Sequence, residues 1–126
     1  MPSLPVALQL FSVREELDAD FEGTLRKVKA LGYQGVEFAG LYGRSAETVR
    51  KLLSAIGLEP VSAHIPIDEF LEDLEGTIDC YLKIGCQYAA IPYLIEERRP
   101  GAPGWGETVE NIKTIAQAAK QKGLQL

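Results

Sequence analysis

Apolar and polar residues alternate along this chain in two patterns, which predict helices and strands in turn. Helical runs with an apolar residue every three or four positions close on Gly32, Gly57, Gly85 and Gly123, and an apolar β-prone segment follows each glycine. The spacings between these glycines are 25, 28 and 38 residues, which is typical of βα units. The pattern therefore predicts a repeated α/β architecture.

The predicted elements follow directly from this alternation. Strands are expected at residues 6–13, 35–40, 60–65 and 88–93, and residues 124–126 open a fifth. Helices are expected at residues 21–31, 46–56, 69–84 and 107–122. Asp20, Ser45 and Asp68 stand at helix starts and have side chains that favour the N-cap position.

The order of these elements predicts a parallel sheet, because strand and helix alternate without a hairpin signal. We expect a single domain over residues 1–126. A closed (β/α)8 barrel and an open doubly wound sheet both fit the order, and the length favours the open sheet. No glycine fingerprint for a dinucleotide follows the first strand, where the sequence reads FSVREELDAD. The fifth strand is too short for a natural end, so we expect a piece of a longer protein.

Composition limits the classes of partner. A net charge of -5 and a pI near 4.9 argue against a nucleic-acid surface. The sequence shows neither an apolar run long enough to cross a membrane nor a secretory leader, and we expect a cytoplasmic protein without a membrane partner. Five residues lie between Cys80 and Cys86, a spacing outside the usual redox and zinc motifs, and both are interpreted as buried thiols.

Three polar residues interrupt the apolar strands. Gln9, Glu37 and His64 each lie between apolar neighbours, so each side chain projects to the opposite face of its strand. In a parallel barrel these positions point into the upper lumen, where active sites are built. One such residue alone is usually a hydrogen-bonded core group, whereas three on three strands favour a functional site.

These segments resemble a known family. QLFSVREEL at the first strand, GYQGVEFAGLYG around the second and SAHI at the end of the third are similar to the N-terminal half of the xylose isomerase-like barrel superfamily. The most similar members are the sugar phosphate isomerases and epimerases, which include inosose dehydratases and ketose 3-epimerases. The resemblance covers essentially all 126 residues and implies four βα units of a TIM barrel plus the start of strand five.

The resemblance also implies a chemistry. Such enzymes bind a small sugar or polyol and a divalent metal (Mn, Mg, Co or Zn), held by two Glu, one Asp and one His of the second half, and they work through an enediolate. Those ligands are expected after residue 126, so we assign no catalytic or metal-binding residue here and expect no tight metal binding. His64, Glu37, Gln9 and Phe11 match substrate-side positions.

Further candidates lie at the end of the fourth strand and in the loop after it. Tyr93 ends the strand and Trp105 lies in the loop, and both are aromatic residues suited to contact a sugar. Arg98 and Arg99 would suit a phosphate, but a solvated pair on the loop is the favoured interpretation. Two other functions stay open. One is a self-contained α/β binding module or a half-barrel that forms a homodimer without catalysis, and the other is an apurinic-site endonuclease, which the acidic balance disfavours.

Overall fold

A computed structural model describes residues 3–126 and contains one four-stranded parallel sheet. Its strands are β1 (Ala7–Gln9), β2 (Gly35–Ala39), β3 (Glu59–His64) and β4 (Tyr88–Ala90), and their order in space equals their order in sequence. Gln125 continues this order through a parallel bridge to Tyr88. A doubly wound sheet reverses its strand order, whereas a barrel does not. The order therefore excludes the open doubly wound sheet, and the predicted repeated parallel architecture is confirmed.

Within residues 3–126, six α-helices connect and cover the strands: α1 (Arg14–Ala19), α2 (Phe21–Ala30), α3 (Ala46–Ile56), α4 (Ile67–Glu72), α5 (Leu74–Ile84) and α6 (Trp105–Lys122). Helix α3 packs between α2 and α5, and α5 also contacts α6. The predicted N-caps Asp20 and Ser45 are confirmed, since each accepts a backbone N–H of its helix. The four glycines that close the helical runs all have φ between 88° and 113°, a conformation that side chains disfavour.

The hydrophobic core lies between the sheet and these helices. Val36 and Phe38 on β2 and Ala63 on β3 are fully buried there, against helix residues such as Leu25 and Ile78. Burial of each larger side chain contributes roughly 1.5 to 3 kcal/mol. The opposite face of the sheet carries the polar strand residues and is open to solvent. Among the helices of the described residues, none has the length and apolar character needed to cross a membrane.

Two strands are shorter than predicted. The first ends at Gln9 and not at residue 13, because the Gln9 side chain accepts the backbone N–H of Phe11 and the chain turns into a 3-10 helix, Leu10–Val13. Phe11 therefore lies just beyond the strand. The fourth strand ends at Ala90, before Pro92, which has no N–H to continue the ladder, so Tyr93 also lies beyond its strand.

The helices also differ from the prediction in two places. The helix expected over residues 69–84 is two helices, which Asp73 separates with φ -152° and ψ 85°. Asp73 caps the second of them, and the expected cap Asp68 lies within the first turn of α4 instead. Trp105 was predicted in a loop but is the first residue of α6.

The two cysteines provide a test of this packing. Burial, with a smaller effect of Cys80, raises the pKa of Cys86 to about 12, and burial followed by the charge of Glu69 raises the pKa of Cys80. Because the thiolate is the reactive form, we expect Cys86 of the folded Cys80→Ser variant to react with a disulfide reagent at pH 8 on the order of a thousandfold more slowly than free cysteine. Rapid labelling of Cys86 in the same variant in denaturant is the control. Equally rapid labelling in the folded chain would contradict the buried position of Cys86.

Candidate functional site

The site lies where three neighbouring strands end, on the open face of the sheet. Gln9 on β1 pairs in register with Glu37 on β2, and a shift of register between Val36 and Glu37 then pairs Ala39 with His64. His64 therefore lies further along its strand than Glu37. Its imidazole reaches back to the carboxylate, which gathers the polar side chains of three strands into one cluster.

The cluster is a triangle of polar contacts, defined here as the Gln9–Glu37–His64 triad. Gln9 Nε2 donates to Glu37 Oε1 at 3.1 Å and lies 3.0 Å from His64 Nδ1. His64 Nε2 lies 3.2 Å from the same Glu37 oxygen. The side chains of His64 and Glu37 are 32% and 27% exposed, so a ligand can reach both.

The triad determines where the imidazole proton lies. Gln9 Oε1 accepts the backbone N–H of Phe11, so the amide nitrogen must face Glu37 and His64. An amide nitrogen is only a donor, and His64 Nδ1 is therefore the acceptor. In the neutral ring the proton then lies on Nε2, the nitrogen 3.2 Å from Glu37 Oε1.

A groove of about 570 Å³ opens beside the triad. Its walls are largely apolar and come from the segments that follow the strands; the lining residues are Phe11, Ala39, Gly40, His64, Pro66, Glu69, Pro92 and Tyr93. Phe11 and Tyr93 are 56% and 64% exposed. The groove thus combines two aromatic rings with two titratable groups, which is typical of a site that contacts both faces and edges of a small polar molecule.

An arginine side chain stacks on each of the two aromatic rings. The guanidinium of Arg14 lies 4.3 Å from the Phe11 ring centroid and donates to the Phe11 carbonyl at 2.9 Å. Arg99 lies 5.2 Å from the Tyr93 centroid and donates to the Leu94 carbonyl at 2.8 Å. These contacts restrict the rings, because each arginine is itself tied to the backbone.

Arg98 and Arg99 have different surroundings. Arg98 forms an ion pair with Asp68 at 2.8 Å, which joins the loop after β4 to helix α4. Arg99 stacks on Tyr93 and has no carboxylate within 4 Å among the described residues. The sequence alone did not distinguish Arg98 from Arg99. Of the two, Arg99 contacts a residue that lines the groove, Tyr93.

Three predicted residues, Gln9, Glu37 and Trp105, are absent from the groove's lining. One titratable residue that was not predicted, Glu69 of α4, is part of it. Burial, and secondarily Glu72, raises the pKa of Glu69. Glu69 lies only five residues after His64, which could have indicated that it is near the site. The prediction placed it at the start of a long helix instead. Glu69 also borders a smaller cavity of about 350 Å³, which Arg44 and Cys80 line on the helical side.

The described residues alone do not form a complete set of ligands for a divalent metal. Among residues 3–126, no three His, Cys, Asp or Glu side chains are placed to hold one ion. The triad offers two donors, Glu37 and His64, where a protein site usually supplies three or four. What the triad can do is exchange hydrogen bonds with ligand hydroxyls, since Glu37 accepts and a reoriented His64 donates or accepts.

Known proteins were compared with the chain at the levels of sequence and structure. No family model and no curated protein sequence matches it. A sugar phosphate isomerase/epimerase from Parabacteroides distasonis matches 98% of this chain with 50% of its own, at a TM-score of 0.65 and 17% identity. An AP endonuclease of family 2 from Brucella melitensis matches 96% with 53% of its own, at a TM-score of 0.72 and 18% identity.

A third solved structure has the same relation to the chain. It is a xylose isomerase domain-containing protein from Salmonella typhimurium, which matches 95% of this chain with 47% of its own, at a TM-score of 0.59 and 20% identity. The chain has the fold of half a TIM barrel. It spans about half the length of the solved structures it matches, and the fold implied by the resemblance to xylose isomerase-like barrels is confirmed.

The triad predicts a definite tautomer. In chain labelled with ¹⁵N-histidine, we expect the neutral His64 ring to show a protonated Nε2 and an unprotonated Nδ1, because Gln9 donates to Nδ1. Gln9→Leu removes that donor and is expected to give a mixture of tautomers. Gln117→Leu, on the exposed side of α6, is the matched control. A protonated Nδ1 in the unmodified chain would show that the triad is wrongly oriented.

Proposed function

We propose that this chain forms the substrate side of a barrel enzyme that isomerises or epimerises a small sugar or sugar phosphate. The observation that carries the proposal is the Gln9–Glu37–His64 triad at three adjacent strand ends, beside a groove with two aromatic walls. One solved structure that matches this chain over half of its own length is a sugar phosphate isomerase/epimerase, which supports the same class of reaction.

The triad suits the recognition of vicinal hydroxyls. Each sugar hydroxyl donates one hydrogen bond and accepts others, and Glu37 Oε1 and the imidazole offer complementary partners only 3.2 Å apart. The ring of Tyr93 or Phe11 presents an apolar face to the C–H surface of a sugar. Binding would thus fix the orientation of the carbon chain relative to the strand ends.

The finer proposal concerns the reaction of the whole protein. It is that a proton moves on and off the carbon beside a carbonyl through an enediolate, with a divalent metal as the resemblance implies. Since the described residues supply at most two donors, we assign this chain the binding and orientation of hydroxyls and no metal-dependent step.

Two alternatives have less support. An apurinic-site endonuclease has a similar fold, but this chain carries a net charge of -5, and both Arg26 and Arg98 are neutralised by carboxylates. A homodimeric half-barrel would cover the open face, where Tyr88 is 52% exposed. However, Gln125 already pairs with Tyr88, at the edge where the first strand of a second copy would have to bind.

Ligand binding tests the proposal. In NMR titrations with D-fructose, D-fructose 6-phosphate and myo-inositol, we expect at least one to bind with a Kd of about millimolar and to shift signals around Ala39 and His64. Glu37→Gln is expected to weaken binding about tenfold, because it removes a charged acceptor. Glu47→Gln, at an exposed helix position, is the matched control. Absence of saturable shifts for all three ligands, or equal weakening by both variants, would overturn the proposal.

Metal binding gives a separate test. Titration of the chain with Mn²⁺ in a calorimeter at neutral pH is expected to show no tight stoichiometric binding, because two ligands hold a divalent ion poorly. EDTA-treated chain measured beside untreated chain is the control. Saturation at one equivalent with submicromolar affinity would refute the expectation and place a metal site within these residues.

A further inference from the structure

A short sequence occurs twice, before the two long helices that follow β1 and β3. It reads DFEGT at residues 20–24 and DLEGT at residues 73–77, and Asp73 lies 53 residues after Asp20. The glycines that close these two helices, Gly32 and Gly85, have the same separation. A shared spacing over the whole unit indicates that the two segments correspond position by position.

The structure has the same correspondence. The short helices α1 and α4 begin at Arg14 and Ile67, and the long helices α2 and α5 begin at Phe21 and Leu74, again 53 residues apart. Strands β1 and β3 precede the short helices in both cases. The unit of repetition is therefore strand, short helix, long helix and following strand.

Both five-residue segments adopt one conformation, which we call the elbow (residues 20–24 and 73–77). The aspartates have φ and ψ of -153° and 89° at Asp20 and -152° and 85° at Asp73. Each carboxylate accepts the N–H of the glycine three residues later, at 3.0 Å in both elbows. The elbow thus breaks one helix and caps the next.

A second pair of bonds ties the short helix to the elbow. The hydroxyls of Thr24 and Thr77 donate to the carbonyls of Glu16 and Glu69, eight residues earlier, at 2.9 and 3.0 Å. The aspartate N–H groups donate to the same two carbonyls, at 2.8 and 3.3 Å. Each short helix is held through one carbonyl that receives two hydrogen bonds.

Steric crowding explains why each elbow has a glycine three residues after its aspartate. A Cβ atom at Gly23 would lie 2.0 Å from a carboxylate oxygen of Asp20, and one at Gly76 would lie 2.1 Å from Asp73. An alanine at either position would displace the capping carboxylate. The Asp, Gly and Thr residues that the two segments share are therefore the ones that form or permit these hydrogen bonds.

Both elbows are connected, through their short helices, to residues that line the groove. Glu69, whose carbonyl is bound by Thr77, also lines the groove with its side chain. Helix α1 begins with Arg14, which stacks on the groove residue Phe11. Phe11 and His64, both in the groove's lining, are themselves 53 residues apart, so the repeat supplies equivalent positions to two of its walls.

We propose that Thr24 and Thr77 are positioning residues: Thr77 holds the short helix α4 in place as a wall of the ligand groove, and Thr24 holds α1, whose Arg14 stacks on the groove residue Phe11. Loss of the Thr77 hydroxyl frees the carbonyl of Glu69 from one of its two bonds, and α4 then moves relative to His64. The inference rests on the proposed function only in taking the groove as the binding site.

His64 is the single histidine of the sequence, so the rate of histidine modification reports on access to the groove. Its modification by diethyl pyrocarbonate is followed by absorbance on folded chain without any ligand. We expect Thr77→Val to raise the rate of His64 modification about fivefold, since one hydrogen bond that holds α4 is lost. Thr77→Ser keeps the hydroxyl and is expected to restore the original rate, which a purely steric effect of the methyl group would not explain.

The matched control is Thr114→Val, which removes a hydroxyl that donates to Glu110 within the ordinary helix α6. An unchanged His64 rate in Thr77→Val, or an equal increase in Thr114→Val, would overturn the proposal. A second measurement is hydrogen exchange of residues 67–72, expected to be faster in Thr77→Val and in Gly76→Ala. Exchange there at the original rate in both variants would also overturn it. Sugars that fail to bind would refute the proposed function and leave both of these measurements unaffected.

Discussion

The amide of Gln9 is the contact on which the site depends. Its nitrogen bonds Glu37 and contacts His64 on two further strands, and its oxygen accepts the N–H of Phe11. One side chain therefore ends the first strand, orients a carboxylate and determines the tautomer of an imidazole. Partly buried polar groups favour such complete pairing, because an unpaired group would cost roughly 1 to 3 kcal/mol.

The parallel arrangement of the strands brings the Gln9 amide close to Glu37 and His64. Residues that alternate along each strand send Val36 and Phe38 into the helical core and Glu37 to the other face. All four strands run the same way, so their carboxyl ends meet at one edge, and the segments that follow form the walls of the groove. The solved structures that share this fold are about twice as long as this chain, which corresponds to half of each of them.

The elbows connect this edge to the rest of the fold. A continuous helix after β3 is what the apolar periodicity predicts, and the break at Asp73 contradicts it because a side-chain cap and a threonine hydroxyl together stabilise two shorter helices. The same arrangement after β1 shows that the break is part of the repeating unit. Helix α4 is thereby directed toward the groove, and this is how Glu69 enters a site that periodicity assigned to three strand residues.

The sequence by itself determined the repeated parallel α/β architecture, the joints at glycine, two helix caps and the shared face of Gln9, Glu37 and His64. These follow from periodicity and capping, which act between residues a few positions apart. Only the tertiary structure decided the strand order, the early ends of β1 and β4, the entry of Glu69 into the groove and the position of Trp105 outside it. The early strand ends have local causes, the Gln9–Phe11 hydrogen bond and Pro92, which the apolar periodicity does not show. The strand order and the lining of the groove depend on contacts between distant segments, such as the one between Gln9 and His64 across 55 residues.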